Sequence, residues 1–182
     1  MRIRPRTPAD LPGLAGVLVR DHTVTGYPYD LPDSPAEWIG SPDDLAAFVA
    51  ADEEDHPAGH VSVGAAAGID HGAGTALQEA WSAAHGRPVA GCAVVGRLFV
   101  AAGRQRHGTG AALLGTAVGW MRERDLAPCL DVLPIGPAAS VVSWYEARGW
   151  VVAGEASPVW RRPGWPPLLA LVLPPEPGDG AP

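Results

Sequence analysis

The chain reads as an α/β (α+β) protein: a mixed, mostly antiparallel sheet of about seven strands flanked by about four helices. Three observations predict this. An apolar, β-prone run at 94–100 passes through a Gly-rich turn into a helical pattern at 109–125. A strand, helix and strand in that order form a right-handed crossover with parallel strands. Alternating apolar residues at 46–51 and 60–66, joined by the acidic turn 52–57, predict an antiparallel hairpin. A second strand, turn and helix follow at 129–148, and further strands at 150–156 and 168–173.

Each element has its own local reason. Arg2, Ile3 and Arg4 make a short first strand. Thr7 caps the first helix and Pro8 takes its first position, where a missing N–H costs nothing. Leu11, Leu14, Val17 and Leu18 continue one helical face to about Arg20. The stretch 25–35 is turn-rich, and Ser34 and Pro35 reopen a short helix that includes Trp38. Segment 68–87 carries Gly68, Gly72, Gly74 and Gly86 around one helical stretch at 77–84. It reads as an insertion between the third and fourth strands, either a mobile ornament or a lining for a site. The helix at 109–125 turns Leu113, Leu114, Ala117, Val118 and Met121 inward. The next helix, 138–148, aligns Val141, Val142 and Tyr145, and Gly149 closes it as a C-cap. A loop with Trp160, Arg161, Arg162 and Trp165 separates the last two strands. The Pro/Gly-rich end, 174–182, is expected to be disordered, which leaves one domain over 1–173.

Composition excludes several classes. A length of 182 residues suits a full hydrophobic core. The net charge is −7 and the basic residues cluster, which argues against a general nucleic-acid or membrane surface. The start has no apolar stretch of the secretory type, and no apolar run reaches membrane-spanning length, so a cytoplasmic protein is expected. Cys92 and Cys129 make no disulfide framework and read as buried thiols. No Cys/His spacing suggests zinc. Abundant Gly, Pro and Ala fit translation from a GC-rich bacterial genome.

The turn within 97–114 is the most informative segment. Gly108 and Gly110 let a ligand approach the backbone closely. The turn feeds a helix N-terminus, where N–H groups lack intrahelical partners and the dipole end is positive. Arg104, Arg106 and His107 add positive charge there. A strand, a basic Gly-rich turn and a helix make a phosphate site. The alternative is a Gly-rich connector without a ligand, which explains the glycines but not the three basic side chains. The turn lacks the Gly-Lys-Ser/Thr ending of the Walker pattern and the G-x-G-x-x-G of dinucleotide folds.

What stands there is Gln105, Arg106, His107, Gly108, Thr109 and Gly110, or Q-x-x-G-x-G. With R-L-F-V before it and A-A-L-L after it, this resembles the acyl-coenzyme A loop of the GNAT superfamily of N-acyltransferases. The run S-W-Y-E-A-R-G-W at 143–150 resembles that family's second signature, and the T-P-A-D helix opening resembles its N-terminal unit. The resemblance implies an acetyl-CoA-dependent N-acetyltransferase that moves an acyl group directly from the thioester to a primary amine of a small molecule or protein. It implies that the fourth and fifth strands splay, that Leu98, Phe99 and Val100 pair with pantetheine amides, and that residues 105–110 grip the pyrophosphate. It places Tyr145 as the general acid for the departing thiolate; the alternative is a core tyrosine with a satisfied hydroxyl. A phenol of pKa about 10 can donate to a thiolate of about 8.5 or above.

Two positions depart from the family pattern. Ala138 stands where an Asn is common, with Ser140 or Ser143 as replacements. Arg97 stands near the start of the fourth strand, where many members place a Glu base. Asp131 is the nearest carboxylate in this reading and a candidate base, but Arg97 and Asp131 are also expected to pair across neighbouring strands. His71, Glu79, His85 and solvent are other candidates. Tyr27, Tyr29 and Trp38 supply aromatic surface for the acceptor, or a lid over the core. Two further readings are a non-catalytic acyl-CoA-binding module and a dimeric interaction domain, with Trp160 and Trp165 as an exposed patch for self-association.

Overall fold

The computed structural model describes residues 1–69, 71–136 and 140–175. The expectations for Ala138, and for the C-terminal segment from 176 onward, lie outside the described residues. Seven strands form one sheet: β1 (Arg2–Pro5), β2 (Asp44–Ala51), β3 (Pro57–Ala65), β4 (Cys92–Val100), β5 (Ala127–Val132), β6 (Val151–Ala156) and β7 (Leu168–Val172). Their order is β1-β2-β3-β4-β5-β7-β6. Five α-helices accompany them among the described residues: α1 (Leu11–Thr25), α2 (Pro35–Ile39), α3 (Ala76–His85), α4 (Thr109–Arg122) and α5 (Val141–Glu146). The sheet is mostly antiparallel, and β4 with β5 is the parallel pair that the strand, helix, strand order predicts. That parallel ladder spans Cys92–Val94. None of the helices described is long and apolar enough to cross a membrane.

The chain forms two compact units, Met1–Ala65 with Val95–Arg124, and Ala66–Val94 with Asp125–Pro182. In the first unit, α1 buries Leu14, Val17 and Leu18, and Leu14 and Leu18 share a core with Ile39 and Val49. α4 buries the five apolar residues expected of it. The start of α1 is held by Asp10, whose carboxylate accepts from the Thr7 N–H at 2.7 Å and the Thr7 hydroxyl at 2.9 Å. Arg4 grips the same carboxylate with two bonds, at 2.8 and 2.9 Å. Gly59 of β3 is a close approach: a Cβ there would stand 3.0 Å from Leu113 and 3.1 Å from the Phe99 carbonyl.

In the second unit, α3 contributes to the core. α3 fully buries Leu77 and Trp81 among Cys92, Cys129, Ala170 and Val172. The Trp81 indole donates to the Leu130 carbonyl at 3.2 Å. Trp160 and Trp165 pack against this same cluster. They are half-buried core neighbours, which corrects the expectation of an exposed aromatic patch.

Candidate active site

The Gly-rich turn has the backbone its sequence implies. Arg106 adopts φ +63° and Gly108 φ +81°, both left-handed. Gly108 is the N-cap of α4 and its carbonyl accepts from Ala112 at 2.9 Å. A Cβ on Gly108 would meet nothing within 4 Å, so the approach to the helix N-terminus is open. Arg104, Gln105, Arg106, His107 and Gly108 are all exposed, while Thr109 is buried and Gly110 half-buried. The Gln105 side chain donates back to the Val100 carbonyl at 3.1 Å, and His107 Nδ1 lies 2.6 Å from the Gln105 carbonyl. The turn is therefore fastened to the end of β4 by its own side chains. Asp21 of α1 adds an anchor that sequence reading missed, accepting from the Ala102 N–H at 2.7 Å. Nothing local marks Asp21 for this, because its partner is 81 residues away.

Leu98, Phe99 and Val100 are half-buried on β4. Phe99 lies 6.4 Å from Tyr27 and 5.6 Å from His60, ring to ring. Tyr27 in turn lies 6.1 Å from Trp38. Tyr27 and Trp38 thus share one aromatic cluster with Phe99, whereas Tyr29 is exposed.

Arg97 does not make the expected pair with Asp131. It has φ +48°, and its guanidinium donates to Asp44 at 2.7 Å and to the Ser62 hydroxyl at 3.2 Å. The left-handed residue breaks the side-chain alternation of β4 and re-aims the guanidinium toward β2 and β3. It also stands 5.4 Å from the Trp38 ring. Burial pushes the Asp44 carboxyl up, against the opposing pull of Arg97 and Arg6. Beside this group His60 is fully buried. Its Nδ1 lies 3.0 Å from the Arg97 carbonyl and its Nε2 3.3 Å from Arg6. An Nδ1–H donor with an Nε2 acceptor satisfies both contacts, which makes the ring neutral. Burial pushes its pKa down to about 4.

In the second unit, Tyr145 is buried on α5 and meets Trp144 and Trp150 edge-on, at 5.0 and 5.8 Å. α5 ends at Glu146 with Ala147 as its C-cap, earlier than the expected end at 148 with Gly149 as cap; Gly149 takes a left-handed φ of +84° in the turn beyond it. Ser140 and Ser143 are both exposed. Burial, and then the charge of Asp131, push the Tyr145 hydroxyl well above the ordinary phenol range. Asp131 faces His71, whose Nε2 lies 3.3 Å from Oδ1. Glu79 accepts from the Thr75 hydroxyl at 2.7 Å, and His85 Nε2 is tied to the Pro128 carbonyl at 3.1 Å. Cys92 and Cys129 are buried, and burial raises both thiols, which suits inert core residues.

The family model for the acetyltransferase (GNAT) family matches residues 14–150. The chain belongs to that family. GNAT acetyltransferases draw their acyl group from acetyl-CoA, and this chain is an acyltransferase of that type. No curated protein sequence matches it significantly. Among solved structures it is similar to a ribosomal-protein-alanine N-acetyltransferase from Brucella melitensis, at 19% identity and TM-score 0.64, covering 94% of this chain and 98% of that one. It is also similar to the ribosomal-protein-S18-alanine N-acetyltransferase of Escherichia coli, at 17% identity and TM-score 0.62, covering 99% and 98%. A third is the E. coli GNAT protein YhbS in complex with CoA, at 19% identity and TM-score 0.56, covering 94% and 81%. At these identities the likeness is one of fold. The open, left-handed turn at the N-terminus of α4 fits the CoA that the family uses, because a Cβ at Gly108 would meet nothing and three basic residues stand beside a helix N-terminus.

Proposed function

We propose that this GNAT protein moves an acetyl group from acetyl-CoA directly to a primary amine of a small molecule or protein. The observation that carries the reading is the Gly108 turn: left-handed, open, basic, and leading into a 14-residue helix. In this reading residues 105–110 hold the pyrophosphate, and the backbone of Leu98, Phe99 and Val100 pairs with the pantetheine arm. Tyr27, Tyr29 and Trp38 contact the acceptor. Tyr145 is the general acid for the sulfur, and Asp131 is the candidate base for the amine proton. The acceptor is of open class; two structural neighbours are named for acting on ribosomal-protein alanine, so an alanine-initiated peptide heads the panel to try. A bacterial cytoplasmic enzyme that forms a homodimer completes the proposal.

Calorimetric titration with acetyl-CoA and with free CoA tests it. We expect micromolar binding of both, abolished by Gly108→Glu, which puts a side chain and a negative charge where phosphate would sit. Failure of either ligand to bind at millimolar concentration overturns the proposal. Binding without thiol release for any amine favours the non-catalytic module, a reading to which Arg97 at the usual base position lends weight.

A further inference from the structure

The first compact unit holds a charged group that is out of balance. Asp44 of β2 gives one carboxylate oxygen to each of two arginines: Oδ1 accepts from Arg97 at 2.7 Å and Oδ2 from Arg6 at 3.3 Å. The Asp44 side chain is only 6% exposed. His60 touches both arginines and is neutral, so it adds no charge. Asp10, the other carboxylate whose charge reaches His60, is gripped by Arg4, which also meets the exposed Asp55 at 3.0 Å. Two arginines therefore share one carboxylate, and one positive charge is left over. Ions drawn out of water need a partner to offset their desolvation.

The surplus belongs to Arg97. Arg6 is 14% exposed, and its Nη1 is taken up by Asp44, His60 and the Ile39 carbonyl. Arg97 is 24% exposed, so it is the member of the group that a solute reaches most readily. Both bonds of its guanidinium among the described residues leave from Nη1, to Asp44 and to the Ser62 hydroxyl. Its Nε is buried and has no acceptor there. Nε and Nη2 form a planar pair of donors, an edge that takes both oxygens of a carboxylate at once. A purely structural bridge would not leave such a donor covered and unpaired.

The neighbours of Arg97 show where its anion comes from. Trp38 stands 5.4 Å from the guanidinium. Tyr27 lies 6.1 Å from Trp38 and 6.4 Å from Phe99, so three aromatic rings adjoin the charge within the same unit. On β4, Arg97 precedes Val100 by three residues, or about 10 Å of strand. A coenzyme arm that leaves residues 105–110 and pairs with Val100, Phe99 and Leu98 in turn ends beside Arg97. Its phosphates are then held away from this charge, and its thioester is brought close. The anion that meets Arg97 is thus carried by the acceptor. One negative charge matches a surplus of one, and apolar surface matches the rings.

We propose that Arg97 is a specificity-determining residue and that the acceptor is a free amino acid with an apolar side chain. Its carboxylate lies along the Nε–Nη2 edge, and its side chain packs on Trp38 and Tyr27. The inference rests on the acyltransferase reading above and narrows its amine class. The first residue of a peptide has no carboxylate beside its amine and is the poorer acceptor.

The test uses the whole chain, acetyl-CoA and two matched pairs: leucine with 3-methylbutylamine, and phenylalanine with 2-phenylethylamine. The members of a pair differ only in the carboxylate. The readout is the acid-to-amine ratio of kcat/KM for thiol release. We expect Arg97→Gln, which keeps a donor toward Asp44 but no charge, to lower that ratio by about 10- to 100-fold, mainly through KM for the acid. Both proteins meet the same amines, so differences in amine basicity cancel. Arg97→Lys should restore part of the ratio, having the charge without the fork. Acetyl-CoA affinity by calorimetry should stay within about twofold in both variants. A second measurement needs no variant: N-acetylphenylalanine should bind the CoA complex at least about 10-fold more tightly than N-acetyl-2-phenylethylamine. An unchanged ratio in Arg97→Gln, equal affinity for the two acetylated compounds, or no thiol release with either acid overturns the inference and leaves the acyltransferase reading standing. Absence of acetyl-CoA binding by the unaltered protein overturns that reading itself.

Discussion

Single residues around the candidate site depart from regular geometry. Arg97, Arg106 and His71 all hold left-handed φ, at +48°, +63° and +47°. Each re-aims something: a guanidinium toward Asp44, a turn into the N-terminus of α4, an imidazole toward a carboxylate. Tyr145 is the opposite case, a regular helical residue whose hydroxyl is shifted by its surroundings. Burial and Asp131 keep its proton on throughout the neutral range, as the proposed general acid requires. The same shift makes transfer to sulfur uphill unless the departing thiolate is raised by the same burial. Tyr145→Phe separates these roles, because the ring keeps its edge contacts with Trp144 and Trp150 and loses only the hydroxyl. With the best amine acceptor, kcat should fall by about 10²–10⁴ while acetyl-CoA affinity is held. An unchanged kcat would remove Tyr145 from the chemistry.

At the level of elements, close approaches decide where helices sit. Gly154 of β6 lies under α3: a Cβ there would stand 2.8 Å from the Cβ of Ala80, which is not a flexible end that can swing away. Gly154 also follows a register shift in the β6–β7 ladder. Gly154→Val should therefore lift α3 and cost about 1–3 kcal/mol in urea unfolding. An unshifted midpoint would mean that α3 docks more loosely than its buried Leu77 and Trp81 imply. All seven strands and the long helices were legible beforehand, because periods of two and about 3.6 are local properties of the chain. The Gly-rich turn was legible for the same reason. Pairings were not. Arg97 and Asp44 are 53 residues apart, and no spacing rule connects them. His71 and Asp131 meet because a loop pinned by Trp160 brings one to a strand that holds the other. A local reading sees His71 as one polar residue among glycines, and sees Arg97 and Asp131 as neighbours by strand count. One left-handed residue in β4 is enough to undo that count.

For the molecule as a whole, buried titrating groups tie folding to pH. His60 is neutral in the fold and holds that state down to about 4, whereas an unfolded histidine takes its proton near 6.5. Between those values the unfolded chain binds more protons, so stability falls as pH falls and the loss is complete below about pH 4. A difference of that size is at most about 3 kcal/mol. His85, also lowered by burial, adds to the loss with the same sign. Asp44 opposes it: its raised carboxyl binds a proton in the fold before the unfolded chain does, which favours the fold as acid is added through that window. Asp10, lowered to about 2 first by Arg4, contributes stability above the ordinary carboxylate range that is lost as pH falls from that range toward 2. The net expectation is a stability that declines from about pH 6.5 toward 4, with carboxylate effects entering below that. His60→Asn isolates the main cause, because an amide can donate to the Arg97 carbonyl in place of Nδ1 but does not titrate. Urea midpoints at pH 7.5 and pH 5 should differ clearly in the unaltered protein and much less in the variant. Equal slopes in the two proteins would show that His60 takes up its proton at the same pH in the folded and unfolded chain, and would move the origin of any acid sensitivity to His85 and the second unit.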